Sequence, residues 1–419
     1  MTLRCRSIIV APLLALGVPL AFGQLTAELA GPLLASPDKA ARTSLCVAAE
    51  GWQVVRGGQA TGGAWNAFLG LAVELDGPAW GGPAGGTLVA EVNGVANQHG
   101  ENTFAARTGA FHPVSNYHAA DHVRVYNLHY RHTGPGGHWA LKVGQLALDD
   151  DFMASDYTGL FTNAAFGPLA TQTGTPLGAR SRHGVAWAIY PAAAPGVWFE
   201  YHPSPTVAWQ TGVYHGGPGP DDADNIGFTY DALSEAGVAL YSELRWAYRL
   251  AGRGWTTRVG VAAHTGQFDD FEAGVAGRDD TEVRGLHSVY LVQDVVLVAA
   301  GDGAPKLGAF GRFGVSPQCD RSAVTTYGDA GFNWFGPLPG RADDVAGIAV
   351  AVTRFGRSFQ ALNGLARTET ALELTYCAHL TSRLALQADA QWLFAPAVNP
   401  GSGRRETAFV AGLRTSWNF

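Results

Sequence analysis

The sequence is poor in cysteine, in methionine and in long apolar runs, and each shortage removes a class of protein. Four cysteines and two methionines occur in 419 residues. Beyond the N-terminal segment only Cys46, Cys319 and Cys377 remain. An odd number cannot complete a disulfide framework, and no Cys-x-x-Cys is present to hold zinc. Charged residues make up only 15% of the chain, and the net charge of −7 comes with no basic stripe, which excludes nucleic acid as a partner. No apolar run outside the N-terminus approaches the roughly 18 residues of a membrane-spanning helix. Gly-x-Ser-x-Gly, His-Glu-x-x-His, a P-loop and a Gly-x-Gly-x-x-Gly in a strand–helix setting are all missing, and with them the commonest hydrolase and nucleotide signatures. No linker, charge block or change of composition divides the chain into domains.

What is present points to a membrane barrel. Arg4 and Arg6 precede an apolar stretch over 7–22 that Pro12 and Pro19 interrupt, and Ala21-Phe22-Gly23 offers small residues at a cleavage site. The expectation is a secretory signal peptide at 1–23 rather than a short membrane anchor. The segment 24–44 would then be a periplasmic extension or a plug, and 45–419 the barrel. The 55 glycines and 11% aromatic content suit tight turns and interfacial girdles. A mean hydropathy of +0.02 is that of strands with one wet face.

Period-2 alternation recurs with no helical pattern competing. Over 238–250, Val238, Leu240, Leu244, Trp246, Tyr248 and Leu250 oppose Ala239, Tyr241, Glu243, Arg245, Ala247 and Arg249. Over 383–394, Leu384, Leu386, Ala388, Ala390 and Trp392 alternate with Arg383, Gln387, Asp389 and Gln391. The chain ends on such a strand, 406–419, with Phe409, Leu413, Trp417 and Phe419 on one face and Val410, Gly412, Arg414 and Ser416 on the other. Segments of about 9–13 residues fit a tilted membrane crossing of roughly 9–11 better than a soluble strand of about 5–6. Long connections (395–405, 356–368, 267–283, 216–235) alternate with short ones (379–382, 251–254, 203–205), the asymmetry of external loops and periplasmic turns.

The fold class expected is therefore all-β, a transmembrane antiparallel up-and-down β-barrel of about sixteen strands. The run 183–190 could add another, but an odd count breaks the parity of a single-chain bacterial barrel. Residues 148–195 are thus expected to form one long connection that folds into the lumen and narrows it.

Several motifs now carry a specific resemblance. Gly144-Gln145 is followed by Asp149-Asp150-Asp151-Phe152, then Leu160-Phe161-Thr162-Asn163 and Phe166-Gly167-Pro168. Later come Phe310-Gly311-Arg312-Phe313-Gly314 with Ser316-Pro317, and Pro339-Gly340-Arg341 with Asp343-Asp344 and Gly347. The end carries Glu369, Glu373-Leu374-Thr375-Tyr376, Leu386-Gln387, Asp389 and Gln391-Trp392. Together these resemble the carbohydrate-selective porin family, the glucose-inducible outer-membrane porins, over most of the chain. The match departs from the family at Ala388, where Pro often precedes the Asp. The resemblance implies a sixteen-stranded barrel that passes sugars by diffusion.

A sugar channel needs forked donors, carboxylate acceptors and aromatic faces at a constriction. Glu243, Arg245, Arg249 and Arg258 are expected inward neighbours on adjacent strands, with Glu200, His202, Gln210 and Tyr214 on the preceding pair. Glu243, Arg245, Arg249, Arg258, Glu200, Asp150 and Asp151 are the candidate pore residues. The competing reading is that lumen charges merely pair and stiffen the wall. Asp149-Asp150-Asp151 lacks the spacing of a calcium loop and reads as a polar corner. Seven of the thirteen histidines lie between His99 and His138, but His118 and His122 have no flanking helix to make a zinc site, and 98–120 reads as an exposed loop. The cysteines read as small side chains in the wall.

Glu200 and Glu243 could flank a glycosidic bond in a secreted glycosidase, yet inward carboxylates occur in any porin. An anion or general porin would favour a lumen stripe of Lys, whereas Arg interleaved with Glu suits neutral solutes. A structural or adhesin barrel has no need of a charged lumen. No cofactor and no metal are implied, and no enzyme activity. The partners expected are sugars, outer-membrane lipid, the barrel-assembly machinery acting on the strand that ends in Phe419, and a second copy in a homo-oligomer.

Overall fold

The computed structural model describes residues 41–98, 103–173, 187–278, 281–301, 303–398 and 406–419. Sixteen strands form the wall. The first eight are β1 (Ala41–Arg56), β2 (Gly62–Asp76), β3 (Gly86–Asn97), β4 (His122–Thr133), β5 (Trp139–Leu146), β6 (Ala194–Ser204), β7 (Val207–His215) and β8 (Val238–Leu250). The rest are β9 (Arg253–Asp269), β10 (Glu282–Ala299), β11 (Pro305–Val315), β12 (Val324–Phe335), β13 (Val345–Phe355), β14 (Thr368–His379), β15 (Leu384–Phe394) and β16 (Ala408–Asn418). Every strand pairs antiparallel with its sequence neighbours, and β1 pairs with β16 to close the sheet. Backbone bonds between Leu45 and Phe419, at 3.0 and 2.9 Å, finish the seam. Closure leaves no edge, which a bilayer requires because lipid cannot satisfy an open row of peptide groups.

The alternation seen in the sequence becomes two surfaces. On β8, Leu240, Leu244 and Trp246 are exposed while Tyr241 and Glu243 are buried. The outward row continues through Val259, Val261, Val289, Leu291, Phe332, Ile348, Leu374 and Leu413. An apolar outside around a polar inside is stable only when lipid is the solvent. At the short-turn end, aromatic rings follow one another around the wall: Trp80 on Tyr130, His132 on Trp139, Trp139 on Phe199 and Phe199 on Trp209, with centroids 5.4–6.5 Å apart. Such a belt sits where headgroups begin. Gly285, at φ +79°, stands at the register shift between Arg284 and Leu286, a left-handed position that side chains resist.

The short connections 134–138, 205–206, 251–252 and 380–383 lie at one end, the long ones 147–193, 216–237, 270–281, 356–367 and 395–407 at the other. No helix among the described residues is long and apolar enough to cross a membrane. The run 187–190 is not strand, and 183–186 lies outside the described residues. The described part of the 147–193 connection does fold inward: Phe152, Tyr157, Leu160, Phe161, Phe166 and Leu169 join one apolar cluster with lumen residues of the wall.

Three expectations need correction. First, 103–120, the described part of 98–120 beyond Gln98, is not an exposed loop. Its helix Thr103–Thr108 leads into a segment whose Phe111, Val114 and Tyr117 are buried, because these apolar side chains fill the lumen beside the longer connection. Second, Cys319 is not in the wall but exposed between β11 and β12, whereas Cys46 and Cys377 are buried on β1 and β14. Third, β1 begins at Ala41, within the segment 24–44 placed before the barrel. The signal peptide at 1–23 lies outside the described residues.

Candidate functional site

The lumen is narrowed by backbone held against side chains. A folded-in connection has few regular partners of its own, so its peptide groups must be met by the wall. They are met by carboxylates and amides at the positions that face inward on alternate residues. Glu373 accepts from the Thr162 and Asn163 amides at 2.6 and 2.9 Å. Asp294 accepts from Ser155 Oγ at 2.5 Å and the Asp156 amide at 3.1 Å. Gln387 Nε2 donates to the Leu160 carbonyl at 2.7 Å, and Asn333 Nδ2 to that of Tyr157 at 2.8 Å. Arg312 donates to the Gly167 carbonyl at 2.6 Å while forking onto Asp329, and Tyr327 donates to the Ala165 carbonyl. Small residues make the room: a Cβ on Gly308 would fall 2.3 Å from the Tyr157 ring, and one on Gly347 2.6 Å from Leu160.

The 103–121 segment docks in the same way. Glu369 accepts from the amides of Phe111, His112 and Ala397 at 2.8, 3.2 and 2.8 Å. Burial lowers the His112 pKa to about 4, so the ring is neutral where its Nε2 meets Thr353 Oγ1 at 2.7 Å. Arg414 joins this segment to the closing strands, donating to Glu50 at 2.8 Å and to Asn116 at 2.8 Å, above the Tyr117 ring. The two inward segments touch: Asn116 Nδ2 donates to the Phe161 carbonyl, and the Ala164 amide to that of Pro113.

The candidate pore residues separate into three groups. Glu243 and Arg258 are brought together with the inward connection and wholly engaged by it. Glu243 accepts from the Met153 amide at 3.0 Å, Tyr290 at 2.8 Å and Gln210 at 2.8 Å. Arg258 lies between Asp294 at 2.7 Å and Asp156 at 2.9 Å. Asp150, Asp151 and Glu200 form a second group near Lys142, which the sequence reading missed. Lys142 donates to Asp151 at 2.5 Å and stands 4.6 Å above the Trp198 ring. Asp150 accepts from Asn127 at 3.0 Å, and Glu200 pairs with His202 at 2.6 Å with both side chains more than a fifth exposed. Burial raises the Asp151 pKa to about 6, against the opposing pull of Lys142. Arg245 and Arg249 are the third group. Arg245 faces the lumen across from Arg258, half-buried and with no ion pair or side-chain hydrogen bond among the described residues. Arg249 stands apart from the rest, at the 251–252 turn, where it donates to the Gly252 carbonyl.

The sequence reading also did not foresee the anchoring by Glu369, Glu373, Asp294, Asn333 and Gln387. Several of these are the very motif residues that carried the family resemblance, but a motif does not say which backbone it will meet. No group of His, Cys, Asp or Glu among the described residues could hold a metal ion. The Asp149–Asp151 corner instead bonds to wall side chains.

A closed sixteen-stranded barrel, apolar outside and narrowed within by two docked segments, is an outer-membrane porin. The family model described as carbohydrate-selective porin, OprB family, matches residues 66–419, and the chain belongs to that family. It is a channel of the bacterial outer membrane for passive diffusion of carbohydrates, not an enzyme. Among solved structures, the high-pH structure of Pseudomonas putida OprB is 20% identical, with a TM-score of 0.77, covering 91% of this chain and 95% of that one. The low-pH structure of the same protein is 15% identical, TM-score 0.55, covering 91% and 93%. The outer-membrane channel DcaP of Acinetobacter baumannii is 12% identical, TM-score 0.52, covering 92% and 99%. Among curated proteins none matches.

Proposed function

We propose that sugar crosses this porin along the lumen strip where Lys142, Glu200, His202 and Arg245 stay reachable, past Asp150 and Asp151, while Glu243 and Arg258 hold the constriction in place without touching solute. One observation carries the reading. Glu243 already meets three donors and Arg258 two carboxylates, whereas Arg245 has its donors spare. A spare guanidinium facing the lumen exchanges water for sugar hydroxyls at little net cost. Binding there must stay weak, because a tight site would stall transit.

Residues 1–23 direct export and are removed, and the segment from 24 to the start of β1 stays in the periplasm. The β16 strand ending in Phe419 is taken up by the barrel-assembly machinery. The apolar belt contacts outer-membrane lipid, and copies associate as a homo-oligomer.

The test is single-channel recording of refolded protein in a planar bilayer, titrated with glucose, maltose and a size-matched osmolyte. Saturable block by sugar alone, weakened several-fold in Arg245→Ala, is the expected result. Block unchanged by Arg245→Ala removes that residue from the path. Stronger interference from phosphate than from sugar would favour an anion-preferring pore.

A further inference from the structure

We infer that the channel carries a second sugar-hydroxyl subsite on the periplasmic side of the constriction, in a recess of the β14–β16 wall. The inference rests on the carbohydrate path proposed above and adds a separate place to it.

The recess opens below the two docked segments. Asn116 and Gly159 form its roof, and His379, Ala385, Gln387 and Ser416 line its wall, with Asn418 at the mouth. The cavity itself is only about 30 Å3 and opens to the lumen, room for about one or two water-sized groups such as a sugar hydroxyl. The strand register explains why it exists. Ala385 pairs with His379 on one side and Ser416 on the other, so a methyl group stands between two polar side chains in one row. A larger residue there would fill the gap.

The polar groups around the gap are unspent. His379 Nδ1 is buried without a partner, a costly state for a ring nitrogen unless something polar arrives. The side chains of Ser416 and Asn418 are half-buried and make no hydrogen bond among the described residues. By contrast, Arg414 and Gln387 deeper in the recess are already committed, to Glu50 and Asn116 and to Leu160 and Thr375. At this end Asp344 is held by Arg341. The free groups are thus a hydroxyl, an amide, an imidazole nitrogen and the Arg383 guanidinium, which lies over the Phe419 ring and makes no side-chain hydrogen bond among the described residues. The first three can both accept and donate or choose their role by tautomer, and the guanidinium only donates. Such a set can meet the hydroxyls of a polyol whose ring stays in the open lumen.

The role follows from position. A solute leaving the constriction meets new partners before bulk water, and one entering from the periplasm is caught first here. Two weak sites in series speed passage where one strong site would slow it.

The test uses the full-length porin in an oriented bilayer, with glucose added to one compartment at a time. The double substitution His379→Ala/Ser416→Ala is expected to lower the association rate of glucose from the periplasmic side about threefold or more, the worth of one or two weak hydrogen bonds. Association from the external side should change by less than twofold. Ala385→Leu, which fills the gap without removing a polar group, should act the same way, and unchanged ion conductance in the absence of sugar certifies the fold of both. Unchanged periplasmic association in both variants, or equal loss from both sides, overturns the subsite while leaving the constriction path standing. Absence of glucose block in the unaltered protein overturns both.

Discussion

Gly347 is a position where one missing side chain sets a channel's bore. It lies on the lumen face of β13, and a Cβ there would sit 2.6 Å from Leu160 and 2.9 Å from Phe161. Both neighbours are buried and have nowhere to go. Gly347→Leu should therefore push the inward connection off the wall. The expected cost is about 1–3 kcal/mol, read as a lower urea midpoint in detergent micelles, together with larger open-channel conductance. Asp151 makes a second prediction at this scale. Its folded pKa of about 6 lies above the roughly 3.9 of an unfolded chain. Between those values the folded state binds the extra proton, so stability falls as pH rises through that window and levels off above it. Melting in detergent from pH 4 to 7 should show the slope, and Asp151→Asn should flatten it. A slope unchanged in the variant would assign it to another group. Sequence alone exposed Asp151 as a candidate but not Lys142, its partner on the preceding strand β5, because a lone Lys on a strand looks like any other.

At the scale of elements, the inward connection is a strap sewn to the wall by the wall's own side chains. Glu243 and Glu373 hold it at two well-separated stations, near Met153 and near Thr162–Asn163. The double substitution Glu243→Ala/Glu373→Ala leaves several buried amides unmet, at about 1–3 kcal/mol each. It should raise ion conductance and abolish saturable sugar block while the strands remain folded, as circular dichroism would report. Conductance equal to that of the unaltered protein would mean that apolar packing alone seats the strap. The strands and this connection were legible in the sequence for concrete reasons. Alternation on 238–250 and 383–394 marks two faces, and parity forbids a strand at 183–190. The docking of 103–121 was not legible, since its histidines and its distance from Glu369 hid a lumen segment among residues that look like a wet loop. Phe111, Val114 and Tyr117 were the available signal. Likewise, periodicity tells that Glu243 and Arg258 face inward, not that they meet Met153, Tyr290, Asp156 and Asp294 there.

The whole molecule depends on its seam. Leu45 and Phe419 exchange the last two backbone bonds between β1 and β16, and the Phe419 ring lies under Arg383. Deleting Phe419 removes both bonds and the final aromatic anchor. The fraction of protein recovered as folded, membrane-inserted barrel should fall markedly, measured by its resistance to unfolding in cold detergent. Full recovery would show that strand pairing upstream suffices for closure.

The long sequence distance between the inward connection and its anchors has a consequence for the cell. Thr162 is 211 residues from Glu373, and Asn163 is 228 from Gln391. Until β14 and β15 are in place, the connection lacks its anchors at Leu160 and Thr162–Asn163, and a half-built wall around a half-docked strap is a wide leak. Discrimination between solutes is thus among the last properties this porin acquires. A cell that inserted it strand by strand without finishing would breach its own permeability barrier, so completing the wall and arming the sieve are one event.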